Sequence, residues 1–324
     1  MRKPLTAVIA SLMVLPLFFD ERARADHGPG ASAAGVSTLT AETLRPSSLS
    51  VEVREDFTEF DDLTADDISA KATAAGSIDL LDRSFLTTVA AQYGVVENFQ
   101  LGLSLPYYAA VNARDAELDP ETGETEIATF NPDGIGDLWL TGKYRFYRGP
   151  IGQFAFVGGV KFPTGRSDVT NSAGERVDPS FTAGTGSYDG GLALAYSRFL
   201  TSHLTLDTSF QYVIRGQNDG FSVGNRIDAG MATAYRFTER PDEFPAATAV
   251  FEANVRNLAE SEEDGVADQN TGGTVLFLSP GVRFALSRQF SITLSVPVPV
   301  VQALNGEQLE MVTKVAAAVV YAID

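Results

Sequence analysis

Residues 85–107 read FLTTVAAQYGVVENFQLGLSLPY, and apolar and polar positions alternate through them with a period of two. Phe85, Val89, Ala91 and Tyr93 share one side, with Leu86, Thr88, Ala90 and Gln92 on the other. After a short Val-Glu-Asn break, Phe99, Leu101, Leu103, Leu105 and Tyr107 alternate with Gln100, Gly102, Ser104 and Pro106. A period of two predicts strands. One face is apolar, the other small or polar, and aromatic rings stand at the strand ends. That is the dyad repeat of an outer-membrane hairpin, with its apolar face to lipid and its rings at the lipid-water boundary.

The same alternation recurs along the chain. Strand one contains Leu49, Val51, Val53 and Phe57, and strands two and three are the hairpin above. Strand four spans Asp137 to Phe146, strand five carries Phe154, Phe156, Val160 and Phe162, strand six Tyr188 to Tyr196 and strand seven Leu204 to Ile214. Strands eight to twelve fall near 226–237, 247–256, 274–284, 290–300 and 311–321. A short helix is expected in TADDISAKATAAG, with Thr64 as cap and Asp66 and Asp67 in its first turn. Connections after strands two, four, six, eight and ten are short. Those after one, three, five and nine are long, with seven and eleven intermediate. An antiparallel transmembrane β-barrel of about 12 strands, with short periplasmic turns and long acidic extracellular loops, has that asymmetry. Residues 49–324 would form it.

Composition refines this picture. Residues 1–25 read as a secretory signal, with Arg2 and Lys3, an apolar run from Leu5 to Phe19, and small residues at Ala23 and Ala25. Residues 26–48 are expected as a periplasmic N-terminal segment with a mobile Gly/Ala-rich start. The absence of Cys leaves stability to size and strand pairing. A net charge of −18 argues against nucleic acid and against an anionic lipid surface. Its clusters, at Asp115–Glu126 and Glu260–Asp268, fall in the outer loops.

The phase of the strands turns Asp137, Trp139, Lys143, Arg145, Lys161, Asp189, Asp207, Arg226, Asp228, Glu252, Arg256, Arg283, Glu310 and Lys314 towards the lumen. Charges of both signs are interspersed, so mutual pairing that stiffens the wall is the plainer reading, and no single-sign ring marks an ion preference. About twelve strands implies a narrow lumen, between filled and water-filled barrels, partly occluded by the N-terminal segment or an inward loop. Pro280, with Pro297 and Pro299 nearly opposite it, interrupts adjacent strands. A bulge explains this simply. The sharper reading is a lateral seam through which an apolar ligand leaves the lumen.

Catalysis has little to draw on. His27 and His203 are the only histidines, one in the N-terminal start and one in a periplasmic turn, so no nucleophile-base pair is expected. No cofactor or metal is expected either, since the acidic loops lack the spacing of an EF-hand. The partners expected are membrane lipid and a small solute.

The segments STLTAETLRPSSLSVEVREDFTEFD, GIGDLWLTGKYRF, GVKFPTGRSD, GTGSYDGGLALAYSR, LFLSPGVRF and VPVPVVQALNGEQ resemble the outer-membrane proteins grouped as transporters of the meta-pathway of phenol degradation. The resemblance implies an outer-membrane barrel and passage of aromatic or other small apolar compounds. Here the second external loop is acidic and has no His, and the chain ends VVYAID without a terminal aromatic residue. The competing reading is a structural or surface-interaction barrel with an occluded lumen.

Overall fold

In a computed structural model, described for residues 35–119, 121–240 and 243–323, twelve antiparallel strands close into a barrel. They are β1 (Leu49–Phe60), β2 (Arg83–Val96), β3 (Phe99–Val111), β4 (Leu138–Gly149), β5 (Gly152–Phe162), β6 (Asp189–Phe199), β7 (Leu204–Ile214), β8 (Arg226–Arg236), β9 (Ala246–Leu258), β10 (Gly273–Ala285), β11 in two pieces (Phe290–Ser295 and Val298–Leu304), and β12 (Met311–Ile323). Sequential neighbours pair throughout, and β1 closes on β12 with Leu49 opposite Ile323. The segment expected as a secretory signal and His27 lie outside the described residues.

The burial pattern is that of a protein turned inside out. Phe85, Val89 and Tyr93 on β2, and Leu101, Leu103, Leu105 and Tyr107 on β3, are exposed. Lys161, Asp189, Asp207 and Glu252 point the other way and are almost completely buried. Apolar side chains face lipid and charged ones face the interior, so alternation survives with its usual polarity reversed. Rings gather at the short-turn end. Phe146 stacks on Phe156 at 4.7 Å, Phe154 meets Tyr196 at 4.8 Å, and Phe290 faces Tyr321 across β11 and β12. Tyr196 also donates to the Ile151 carbonyl at 2.8 Å in the neighbouring turn.

Apolar cores of the ordinary kind occur in the outer loops. Helix α1 (Ala65–Ala75) starts at a capping box in which the Thr64 hydroxyl accepts from the Asp67 amide and the Asp67 carboxylate accepts from the Thr64 amide. Its buried Ile68 and Ala72 pack on Ile78, Leu80 and Ala116. The last three belong to a small sheet of Ser77–Leu80, Arg114–Leu118 and Thr125–Thr129, within connections in which a helix but no strand was expected. A second cluster of Leu81, Ala113, Phe130, Val169 and Val177 joins the first three long connections into one cap.

Residues 35–48, expected as part of a periplasmic segment and also as a candidate to occlude the lumen, take the second of these places. Their polar contacts run from β9 through β7, β6 and β4 to β3, strands on opposite sides of the barrel. Only a segment inside the lumen reaches all of these walls. It leaves at the short-turn end, where the Ser47 amide donates to the Gly94 carbonyl at 2.7 Å. A Cβ on Gly94 would lie 1.8 Å from the Arg45 carbonyl oxygen, so only glycine admits this exit.

Candidate functional site: the lumen, its plug and an unpaired edge

Three ionic groups and the plug occupy part of the interior. Near the outer mouth the Lys161 Nζ lies 2.9 Å from Asp137 Oδ2 and 2.8 Å from Asp189 Oδ2, all three buried. It also donates to the Thr185 hydroxyl. Asp137 accepts from the amides of Gly165 and Thr185 at 2.9 and 3.0 Å. Asp189 accepts from the Gly216 amide at 3.0 Å and faces Arg215 at 3.3 Å. Backbones crowd here, since a Cβ on Gly184 would lie 2.7 Å from Gly165 and 2.8 Å from Asp137. The GIGD, VKFPTG and GTGSYDGG segments therefore meet at one point.

Asp228 is shared by Arg226 and Arg256, each with its Nε 2.7 Å away. Asp56 is held by Arg54 at 2.6 Å and approached by Lys314 at 3.7 Å. Trp139 lies flat along the inner wall, because a Cβ on Gly159 or Gly191 would meet its ring at 3.4 or 3.6 Å. The two glycines leave room for an indole to cross from β4 over β5 to β6.

Glu252, Asp207 and Lys143 act on the plug, directly or through a neighbour, while Arg283 and Arg145 bond groups of the wall and its turns. The Glu252 carboxylate accepts from three consecutive amides, Val36 at 3.1 Å, Ser37 at 3.1 Å and Thr38 at 2.9 Å. This is an anion nest closed around the protein's own side chain. The carboxylate leaves no space for a side chain at residue 35, where a Cβ would lie 1.9 Å from it. Farther along, the Leu39 amide donates to Ser209 at 3.2 Å and the Ala41 amide to Ser197 at 2.8 Å. Ser197 in turn donates to Asp207. Ala41 packs on Ala155 and Ala195, whose small side chains allow the close approach. Lys143 donates to the carbonyls of Thr40 and Glu42 at 3.1 and 3.0 Å, and the Leu44 amide donates to Gln100 at 2.8 Å. Arg283 donates to Thr293 at 3.1 Å, and Arg145 to Asn98 and Gln153.

The outer cap carries its acidic residues close together. Asp79 stands opposite Asp115 in the cap sheet, beside a cavity of about 460 Å³ that Asp178 and Asp268 also line. Burial, and then the neighbouring charges of Asp178, Asp115 and Asp268, push the Asp79 carboxyl well above its ordinary range. Burial raises Asp115 and Asp178 as well.

The prolines interrupt the wall differently from the expected seam. The β10–β11 ladder joins Gly281–Ala285 to Ser291–Ser295, and resumes as Gly273–Leu278 with Val298–Leu304. At the interruption the Val296 amide still donates to the Pro280 carbonyl at 3.0 Å, so these strands stay together. The lost pairing lies one strand farther on. β12 pairs with β11 only from Ala316 to Tyr321, and Val298–Leu304 has no ladder to Met311–Val315. Backbone direction supplies the reason. Val296 points its amide at β10, so Pro297 and Pro299 turn towards β12, and neither has an N–H to donate. The edges are rimmed by exposed Val298, Val300, Val301, Val312 and Val315. At the top the Gln302 side chain bridges them, donating to the Met311 carbonyl at 3.0 Å and accepting from its amide at 2.8 Å.

Arg54, Asp56 and Arg215 join the interior groups without having been among the residues expected there, Glu310, which was, is exposed in the connection before β12, and occlusion by the N-terminal segment was expected without the residues that make it. The first two were visible in the phase of strand one. The plug binds mainly through backbone amides, which leave no side-chain pattern.

No curated protein matches the sequence. Among solved structures the chain is similar in fold to the COG4313 outer membrane channel from Pseudomonas putida F1, with 14% identity and a TM-score of 0.56, covering 87% of this chain and 98% of that one. It has weaker likenesses to the NanC porin, at 10% identity and a TM-score of 0.42 over 85% of this chain and 99% of that one, and to the CymD monoaromatic hydrocarbon channel, at 11% identity and 0.38 over 86% and 88%. A family model described as "Putative MetA-pathway of phenol degradation" matches residues 54–300, and the chain, an outer-membrane β-barrel, belongs to that family.

Proposed function

We propose that the protein is an outer-membrane channel for small, largely apolar solutes, closed along its axis by residues 35–48 and open to lipid between β11 and β12. The unpaired edge carries this reading. Within hydrocarbon each unsatisfied backbone group costs several kcal/mol, so a wall built only for stability would pair these strands. Here two prolines remove donors from that edge, and valines line both of its sides. An apolar solute entering from the mouth would meet the plug and turn sideways into the outer leaflet.

The test uses the absence of native cysteine. Val300→Cys and Val312→Cys, joined by a short bismaleimide, staple the two edges. In proteoliposomes the staple should stop transfer of a small neutral aromatic compound and leave a polar solute of similar size unaffected. Equal transfer of the aromatic compound before and after stapling contradicts the lateral route.

A further inference from the structure

Beneath the plug lies a second cavity of about 620 Å³, bounded by residues 35–46 and the short-turn ends of the strands. Its lining is positive, although the whole chain is strongly acidic. Among the described residues, six basic side chains line it against three acidic ones, Glu42, Glu52 and Glu97. Two of the cations have, among the described residues, only neutral hydrogen-bond partners. Lys143 bonds the Thr40 and Glu42 carbonyls, and the guanidinium of Arg145 bonds the side-chain amides of Asn98 and Gln153. Arg148, also in the lining, is exposed beside them. Amide oxygens orient these groups, and although the charges of Glu42, Glu97 and Asp207 act on them, cations outnumber carboxylates in the lining, which leaves it net positive towards a carboxylate. Leu39, Leu44 and Phe199 add apolar surface to the same lining.

We infer that this chamber binds a small organic carboxylate with a compact apolar body, its anionic head between Lys143 and Arg145. The volume is in the range of small-molecule sites, and few but convergent polar groups are what such sites use for orientation. The acidic outer cap repels anions, so the chamber loads from the periplasmic side. It rests on the channel reading for its place in transport, but its binding is measured without flux.

The probes are benzoate and its neutral counterpart benzyl alcohol, titrated calorimetrically into the detergent-solubilised full chain. Benzoate should bind at least about tenfold more tightly than the alcohol, and more weakly as salt is raised. Lys143→Gln with Arg145→Gln should weaken benzoate by about tenfold or more, with folding confirmed by heat-modifiable electrophoretic mobility. Should that pair fail to fold, Arg148→Gln alone, at an exposed position, must still weaken benzoate. Equal affinity for the two probes, no benzoate binding, or variants indistinguishable from the parent overturn the inference. Neutral-solute transfer through the stapled and unstapled wall is independent of these results. Loss of benzoate binding with lateral transfer intact removes the chamber and leaves the channel.

Discussion

Lys161 shows how a single cation can order the outer mouth. It sits between two buried carboxylates that themselves hold the amides of Gly165, Thr185 and Gly216. Removing one member of such a group leaves uncompensated buried charge, at a cost of about 3–5 kcal/mol. Lys161→Ala should therefore lower the urea midpoint of the refolded barrel and open residues 163–188 to proteolysis. An unchanged midpoint would mean that water replaces the ammonium at no cost. Glu252 acts at the other end. Glu252→Ala removes the acceptor of three plug amides, and a loss of about 2 kcal/mol corresponds to roughly thirtyfold faster exchange there. Amide exchange at Val36, Ser37 and Thr38 reads this directly. The inward direction of Lys161 and Glu252 was legible from alternation alone. Their partners were not, since Gly165, Thr185 and the plug amides come from irregular chain with no period to read.

At the scale of elements, the strands were the most legible part. Period-two alternation and the length asymmetry of the connections place all twelve, although the β8–β9 turn is longer than the β11–β12 connection. Helix α1 was legible because Thr64 and Asp67 announce its start. The cap sheet was hidden because Ser77–Leu80 and Arg114–Leu118 combine few apolar residues with acidic ones, and their core forms only against α1. That composition has a consequence for pH. Folding raises the Asp79 carboxyl above its ordinary 3.8, so its contribution is complete below that pH and is lost as pH rises through the raised value. The cap should protect its amides better in mild acid than at neutral pH, after correction for intrinsic exchange. Asp79→Asn should reduce the difference, leaving the part that Asp115 and Asp178 supply, and greater protection at neutral pH would contradict this account of the carboxylates. The proline pattern announced an irregular wall in β10 and β11. It misdirected the position of the gap, because alternate residues of one strand bond to different neighbours and Pro297 and Pro299 face β12.

The whole molecule separates three tasks by height. The outer connections carry a packed acidic cap, ion pairs stiffen the wall, and residues 35–48 cross the inner half. Apolar packing is concentrated in the cap, while the barrel presents its apolar residues to lipid. Axial closure is thus assigned to one short segment, held by Glu252, Ser209, Ser197 and Gln100. The most direct test is single-channel conductance in planar bilayers, comparing the intact protein with a variant lacking residues 35–48, both shown to be folded by heat-modifiable mobility. The intact barrel should be closed or pass only brief, small currents, and the shortened one should give a steady open step. Equal conductance of the two would contradict the assignment of residues 35–48 as the axial plug.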